Sequence, residues 1–246
     1  HYINTLKKIS KTHDFVFYDN CSTNDIILRH DVDCSLVAAL KMASMENKMG
    51  VHSTYFIYFS SEFYNPFGTE SSKIIDKIIS FGHKIGLHYS EEFIVQHSLE
   101  PSKDVLKEID LLENHFHTEI NVVAAHESKT FPPSLDLHLP KNIFDAYSDR
   151  FVVQRKYLSD SAMFWREGCF CEHYDKFDKL HVLIHPMWWS KNNSNRKDIL
   201  DSFIGGEYDQ YYPLIKNDLK KHENWANTLS KKSIDRINHI KTRNMH

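Results

Sequence analysis

The feature that most constrains this chain is an alternation along its first two thirds. Short apolar runs rich in β-branched and aromatic residues are separated by longer stretches whose apolar residues recur at helical spacing. The first kind of run predicts a strand and the second a helix laid on a sheet, so their succession predicts repeated βα units around a parallel sheet. A strand is expected over 26–32 and another over 51–59. Between them a helix runs from Ser35 to about Lys48, with Leu36, Ala39, Leu40 and Ala43 on one face and Ser35 as its cap. A helix over 71–81, carrying Ile74, Ile75, Ile78 and Ile79, stops at Gly82, and a short strand over 84–89 follows. The next helix extends from Pro101 to about Phe116, with Val105, Ile109, Leu112 and Phe116 at helical spacing. Further strands are expected over 122–125, 146–147, 151–153 and 181–184, with a connecting loop over 134–141 behind Pro132 and Pro133. After Pro186 the pattern loosens into a loop over 192–195 and a helical tail from Pro213 onward.

Length and composition bound the function. A chain of 246 residues suits one α/β catalytic domain, and 41% hydrophobic with 26% charged residues is ordinary for a globular protein. The net charge of -3 gives no reason to expect nucleic acid as a partner. The charge is uneven, however: residues 213–246 hold eight Lys/Arg against three Asp/Glu, so the mainly helical C-terminal segment 195–246 is basic. Its simplest reading is a solvated helical face, the other being contact with a phosphate or an anionic surface. Cys21, Cys34, Cys169 and Cys171 form no C-x-x-C pair and predict no disulfide framework. No apolar run reaches the roughly 18 residues of a membrane span. No charged-then-apolar signal segment opens the chain, and cytoplasm is the default expectation.

The chemistry-bearing residues fall at the carboxyl ends of the expected strands, the edge where parallel α/β folds bind ligands: Asp31, Asp33, His88, His126 and His185. Two carboxylates at i and i+2 share a face, so one can hold a metal while the other handles a proton; alone, such a pair is equally well a turn or a cap. His88 closes a short strand between glycines, whereas His83, just behind Gly82, suits the satisfaction of backbone carbonyls. His185 emerges from an apolar strand before Pro186, with Trp188 and Trp189 following as packing residues or as platforms for a sugar ring.

Five segments taken in order, Arg29-His30-Asp31-Val32-Asp33, Ser53-Thr54-Tyr55-Phe56, Gly82 to His88, Ser159-Asp160-Ser161 with Trp165, and Leu183-Ile184-His185-Pro186, resemble the polysaccharide deacetylase family. This is the NodB-homology or carbohydrate esterase 4 type, and the likeness is to its branch with an Arg-His-Asp-Val-Asp motif. It spans residues 26–189, about two thirds of the chain. The resemblance implies an α/β fold, a distorted (β/α) barrel of about seven strands, and a divalent metal, usually Zn2+. By the same resemblance Asp31 is the general base, Asp33 and His88 are metal ligands, His185 is the general acid and Asp160 orients it. Where the family has a further histidine four residues after the first, this chain has Glu92. The third ligand is then His126 or Glu92, with His126 preferred. The family's arginine-bearing motif that steadies the base is also missing near His126, which leaves the charge around Asp31 without an assigned partner.

The implied activity is metal-dependent hydrolysis of an N-acetyl or similar small N-acyl group on an amino sugar, carried by a glycan, sugar nucleotide or lipid-linked precursor, as in the synthesis of surface polysaccharides. The altered second motif also allows a degenerate member that binds carbohydrate without cleaving it. Two His and one carboxylate further allow a non-haem iron enzyme.

Overall fold

The computed structural model describes residues 1–22, 24–126, 133, 135–189 and 195–203. The chain forms two compact units, His1–Asn192 and Asn193–His246. In the second, residues 196–203 are helical. The tail from Pro213 and all but the last residue of the loop expected over 192–195 lie outside the described residues.

The first unit is built on strands β1 (Asp14–Val16), β2 (Asp25–Val32), β3 (Thr54–Tyr58), β4 (Lys84–Ser90), β5 (Val122–His126), β6 (Phe144–Asp145), β7 (Lys156–Ser159) and β8 (Lys179–Ile184). Its helices are α1 (Tyr2–Ile9), α2 (Leu36–Asn47), α3 (Thr69–Ser80), α4 (Glu91–Gln96), α5 (Pro101–Phe116) and α6 (Asp149–Val152). Every strand pairing is parallel, in the order β6-β5-β4-β3-β2-β8-β7, with β1 beside the start of β2. Among the described residues β6 and β7 do not pair with each other. The sheet is therefore a curled half-barrel, consistent with the distorted (β/α) barrel that the motif resemblance implies.

The local signals act as their chemistry requires. Ser35 caps α2 through a bond from the Ala38 amide to its hydroxyl (3.2 Å), and Pro101 occupies the first turn of α5, where its missing N–H costs nothing. Gly82 ends α3 with φ +84°, a conformation that a side chain disfavours. Two expectations fail. The strand foreseen over 146–147 is the two-residue β6 just before it, and 151–153 falls on α6 and its end. Phe151 is buried inside the barrel from a helix, which apolarity alone does not distinguish from a strand. In addition, α1, β1, α4 and β7 form where no element was foreseen.

Alternation along the strands divides the core. Outward residues Val32, Tyr55, Ile57, Leu87 and Val123 pack beneath α2, α3 and α5, while Ile26, Leu28, Val182 and Ile184 pack beneath α1. Inward residues Ile27, Phe56, Val122 and Ala124 meet Tyr18 and Phe151 in the barrel interior. A Cβ on Gly86 would sit 2.9 Å from the Phe56 ring and 3.1 Å from Val122, so this glycine makes room for neighbouring side chains rather than for a ligand.

One polar cluster pins the outer layer to the sheet. The fully buried Glu46 of α2 accepts bonds from Ser53 Oγ (2.7 Å) and Tyr55 Oη (2.8 Å) on or beside β3, from His30 Nε2 of β2 (2.7 Å), and from Tyr2 of α1. Burial would raise its pKa, but His30 and His83 hold it down to about 2. His83 takes the role foreseen for it, with Nε2 3.1 Å from the carbonyl of Ala43.

Candidate active site

Residues 27, 29 and 31 share the inner face of β2, and every residue of that strand is buried. Arg29 thus lies directly behind Asp31 and grips it with two bonds, Nε to Oδ1 at 2.7 Å and Nη2 to Oδ2 at 2.8 Å. The guanidinium is held between the rings of Phe56 (4.8 Å) and Tyr147 (4.6 Å), and Nη2 also donates to Tyr147 Oη at 3.1 Å. Burial would raise the Asp31 pKa, but Arg29 first and then His88 hold it well below the usual carboxylate range. An arginine partner for Asp31 thus comes from two residues upstream on the same strand. The i, i+2 spacing of Arg29 and Asp31 puts both on one face of the strand, the same relation that links Asp31 with Asp33.

Asp33 follows the end of β2. Its Oδ1 is buried without a hydrogen-bond partner among the described residues. Around it stand His88 Nε2 at 3.4 Å, from β4, and His126 Nε2 at 3.9 Å, from β5; His185 Nε2 lies 3.6 Å from the other carboxylate oxygen. Burial would raise the Asp33 pKa, but His88 and His185 keep it below its ordinary value. The His88 ring is oriented by Nδ1 lying 2.9 Å from the carbonyl of Ala124. A carbonyl only accepts, so in the neutral ring Nδ1 carries the proton and Nε2 presents a lone pair. That lone pair faces Asp33 Oδ1 and, at 3.5 Å, Asp31 Oδ2. Acceptors turned toward one another in a buried site are favourable when a cation lies between them.

His126 stacks on Tyr58 (4.0 Å between centroids, 26°) and meets His88 edge-on at 5.1 Å. One donor atom from each of Asp33, His88 and His126 lies within 4.8 Å of the other two. Glu92 is not among them: it is exposed on α4 and accepts a bond from Gln96 at 2.8 Å. Two imidazoles and one carboxylate form a donor set that zinc and similar borderline divalent ions accept. The residues present therefore fit such an ion.

Asp160 follows β7 and binds His185 twice through Oδ1, accepting from the backbone N–H at 2.9 Å and facing ring Nδ1 at 2.7 Å. Its Oδ2 accepts from the Trp189 indole at 2.8 Å. Burial would lower the His185 pKa, but the Asp160 bond and the Asp33 and Asp31 charges hold it up at about 9. The half-buried Trp189 also packs against Tyr2 (5.1 Å between centroids). Asp31, Asp33, Cys34, His185 and Met187 line part of a tight crevice beside the cluster.

All six residues singled out in the sequence, Asp31, Asp33, His88, His126, Asp160 and His185, thus gather at one edge of the sheet. Fold and site together define the class as a curled half-barrel whose Asp33, His88 and His126 would suit a divalent cation, with Asp31 and His185 beside them.

No protein-family model and no curated protein matches the chain. Among solved structures it is similar to a family 4 acetyl xylan esterase from Clostridium thermocellum in complex with a cobalt ion, at 15% identity over 75% of this chain and 84% of that one, with a TM-score of 0.40. It is similar to PdaA, a family 4 carbohydrate esterase of Bacillus subtilis, at 15% identity over 83% of each chain, TM-score 0.42. It is also similar to the polysaccharide deacetylase Bc1974 from Bacillus cereus, at 12% identity over 65% and 78% of the two chains, TM-score 0.45. Among the described residues no helix is long and apolar enough to cross a membrane.

Proposed function

We propose that this protein is a metal-dependent amide hydrolase that removes an N-acetyl or similar small N-acyl group from an amino sugar. The observation that carries the reading is the convergence of three ligand-type groups, Asp33, His88 and His126, with an ionised carboxylate and a protonated imidazole within 3.6 Å of them. Asp33 Oδ1, His88 Nε2 and His126 Nε2 would hold the ion. When bound, it lowers the pKa of water and polarises the scissile carbonyl.

The protein's own groups supply the proton transfers. Asp31, kept ionised by Arg29, accepts at a carboxylate oxygen the proton of the attacking water. His185, kept protonated through Asp160, donates from Nε2 to the amine nitrogen as the C–N bond breaks. Acetate and a free amine are the products, and the two groups exchange protons with solvent to reset. The amino-sugar substrate rests on the five ordered motifs, with a glycan, sugar nucleotide or lipid-linked precursor as carrier; Zn2+ is the preferred ion.

The test is acetate release from N-acetylated sugars, sugar nucleotides and glycans by protein carrying one equivalent of zinc. Release that disappears in Asp31→Asn while bound metal is retained supports the assignment. Absence of release from every substrate class removes it in favour of a carbohydrate-binding protein that does not hydrolyse. A second reading has the donor set itself in its favour, since two His and one Asp also hold iron in oxygenases. It leaves Asp31 and the His185–Asp160 pair without a task, and iron-dependent oxygen consumption would establish it.

A further inference from the structure

A second cluster of metal-binding groups lies outside the candidate active site and shares no residue with it. His1 Nε2 is 3.3 Å from Cys169 Sγ, and one donor atom from each of His1, Cys169 and Cys171 lies within 4.8 Å of the other two. The turn brings the two sulfurs together. Cys169 is the N-cap of a short 3-10 turn, Phe170–Glu172, and its Sγ accepts the backbone N–H of Cys171 at 3.4 Å. Phe170, between them, is buried against Trp165 (5.7 Å between centroids) and Trp189 (6.3 Å), which anchors the turn from below. The His1 ring lies parallel to Trp189, at 6.2 Å and 9°. Both cysteines are half-buried free thiols and His1 is exposed, so the donors are accessible from solvent.

We propose that His1, Cys169 and Cys171 form a second metal site, for a thiophilic cation of the Zn2+ or Cu+ kind. Two sulfurs and an imidazole discriminate strongly against Mg2+ and Ca2+, which take oxygen, and favour soft or borderline ions. Three donors leave one position of a tetrahedral ion to water or another small ligand. Binding would tie the start of α1 to the 169–171 turn. Burial and the neighbouring Cys171 thiol push the Cys169 thiol up to about 12, so a bound cation must displace its proton.

The test is titration of reduced, metal-free protein with Co2+, read by the thiolate-to-cobalt charge-transfer absorption that the Asp33–His88–His126 set cannot produce. The expected result is a band lost in Cys169→Ser and in Cys171→Ser but persisting in Asp33→Ala, where the other donor set is broken and the band should saturate at one equivalent. In His1→Gln, an exposed position that leaves folding intact, Co2+ binding should weaken at least about tenfold, since even removal of an outer partner of a metal ligand costs about that much. Zn2+ should protect both thiols of the unmodified protein from alkylation. A reduced protein without the band, a band indifferent to both cysteine substitutions, or thiols alkylated equally fast with and without Zn2+ would overturn the site. None of these readouts depends on acyl hydrolysis, so failure here leaves the proposed activity standing, and the reverse.

Discussion

Arg29 and Asp31, two residues apart on β2, form a buried two-pronged ion pair, with bonds of 2.7 and 2.8 Å. Each restrains the other: the guanidinium is tolerated in the barrel because the carboxylate neutralises it, and the carboxylate stays ionised and fixed in direction because two donors hold it.

Replacing Arg29 with Lys tests that restraint. An ammonium keeps the charge but cannot make both parallel bonds. We expect kcat for acyl hydrolysis to fall by about 10–100-fold, roughly 1.4–2.7 kcal/mol of lost transition-state stabilisation, with bound metal unchanged. Full activity in Arg29→Lys would show that orientation of Asp31 is not limiting.

Under the proposed mechanism the Asp160–His185 pair is expected to set the alkaline limit of activity. A group whose pKa is raised in the folded protein keeps its proton through neutrality and loses it as pH rises through the raised value, here about 9 for His185. Activity that needs His185 protonated should therefore decline at alkaline pH. A cation bound beside it moves that decline lower, not higher. Asp160→Asn removes the charge that sustains the proton and should shift the alkaline limb of the kcat profile down by about one unit or more, by analogy with other carboxylate–imidazole pairs. An unmoved limb would separate Asp160 from the general acid.

Metal content distinguishes the third ligand. Asp33→Ala and His126→Ala should each lower zinc affinity sharply by equilibrium dialysis, whereas Glu92→Gln, on the exposed face of α4, should leave stoichiometry and affinity unchanged. A chelator should abolish hydrolysis and zinc should restore it. Loss of metal in Glu92→Gln would return the ligand assignment to α4.

Glu46 makes a prediction about stability alone. Its carboxylate is fully buried and bonded to α1, β2 and β3 groups, so Glu46→Ala removes one side of a buried polar network. It should destabilise by about 3–5 kcal/mol in denaturant unfolding. Because its pKa is depressed from 4.5 to about 2, the stabilisation is present above about pH 4.5 and is lost as pH falls through 2. A neutral result would mean that the tyrosines, Ser53 and His30 find other partners.

The sequence by itself determined the succession of βα units, because apolar period is a local property. Helical spacing in 101–116 and the Ser35 cap give α5 and α2 nearly to the residue, and Gly82 marks the end of α3. It determined as well which residues are candidates for chemistry, since strand ends in a parallel sheet share one edge. What it left undetermined depended on curvature and on pairing between distant segments. Residue 151 is apolar whether it lies in a strand or in α6. That His126 rather than Glu92 lies near Asp33 and His88 depends on β5 lying in register beside β4, Ser90 against His126. The parallel pairing of β7 with β8 brings Asp160 near His185, from 25 positions away. The Arg29–Asp31 grip lies between these cases: its spacing is written in three consecutive residues, yet only the closed space between Phe56 and Tyr147 turns the guanidinium along its own strand.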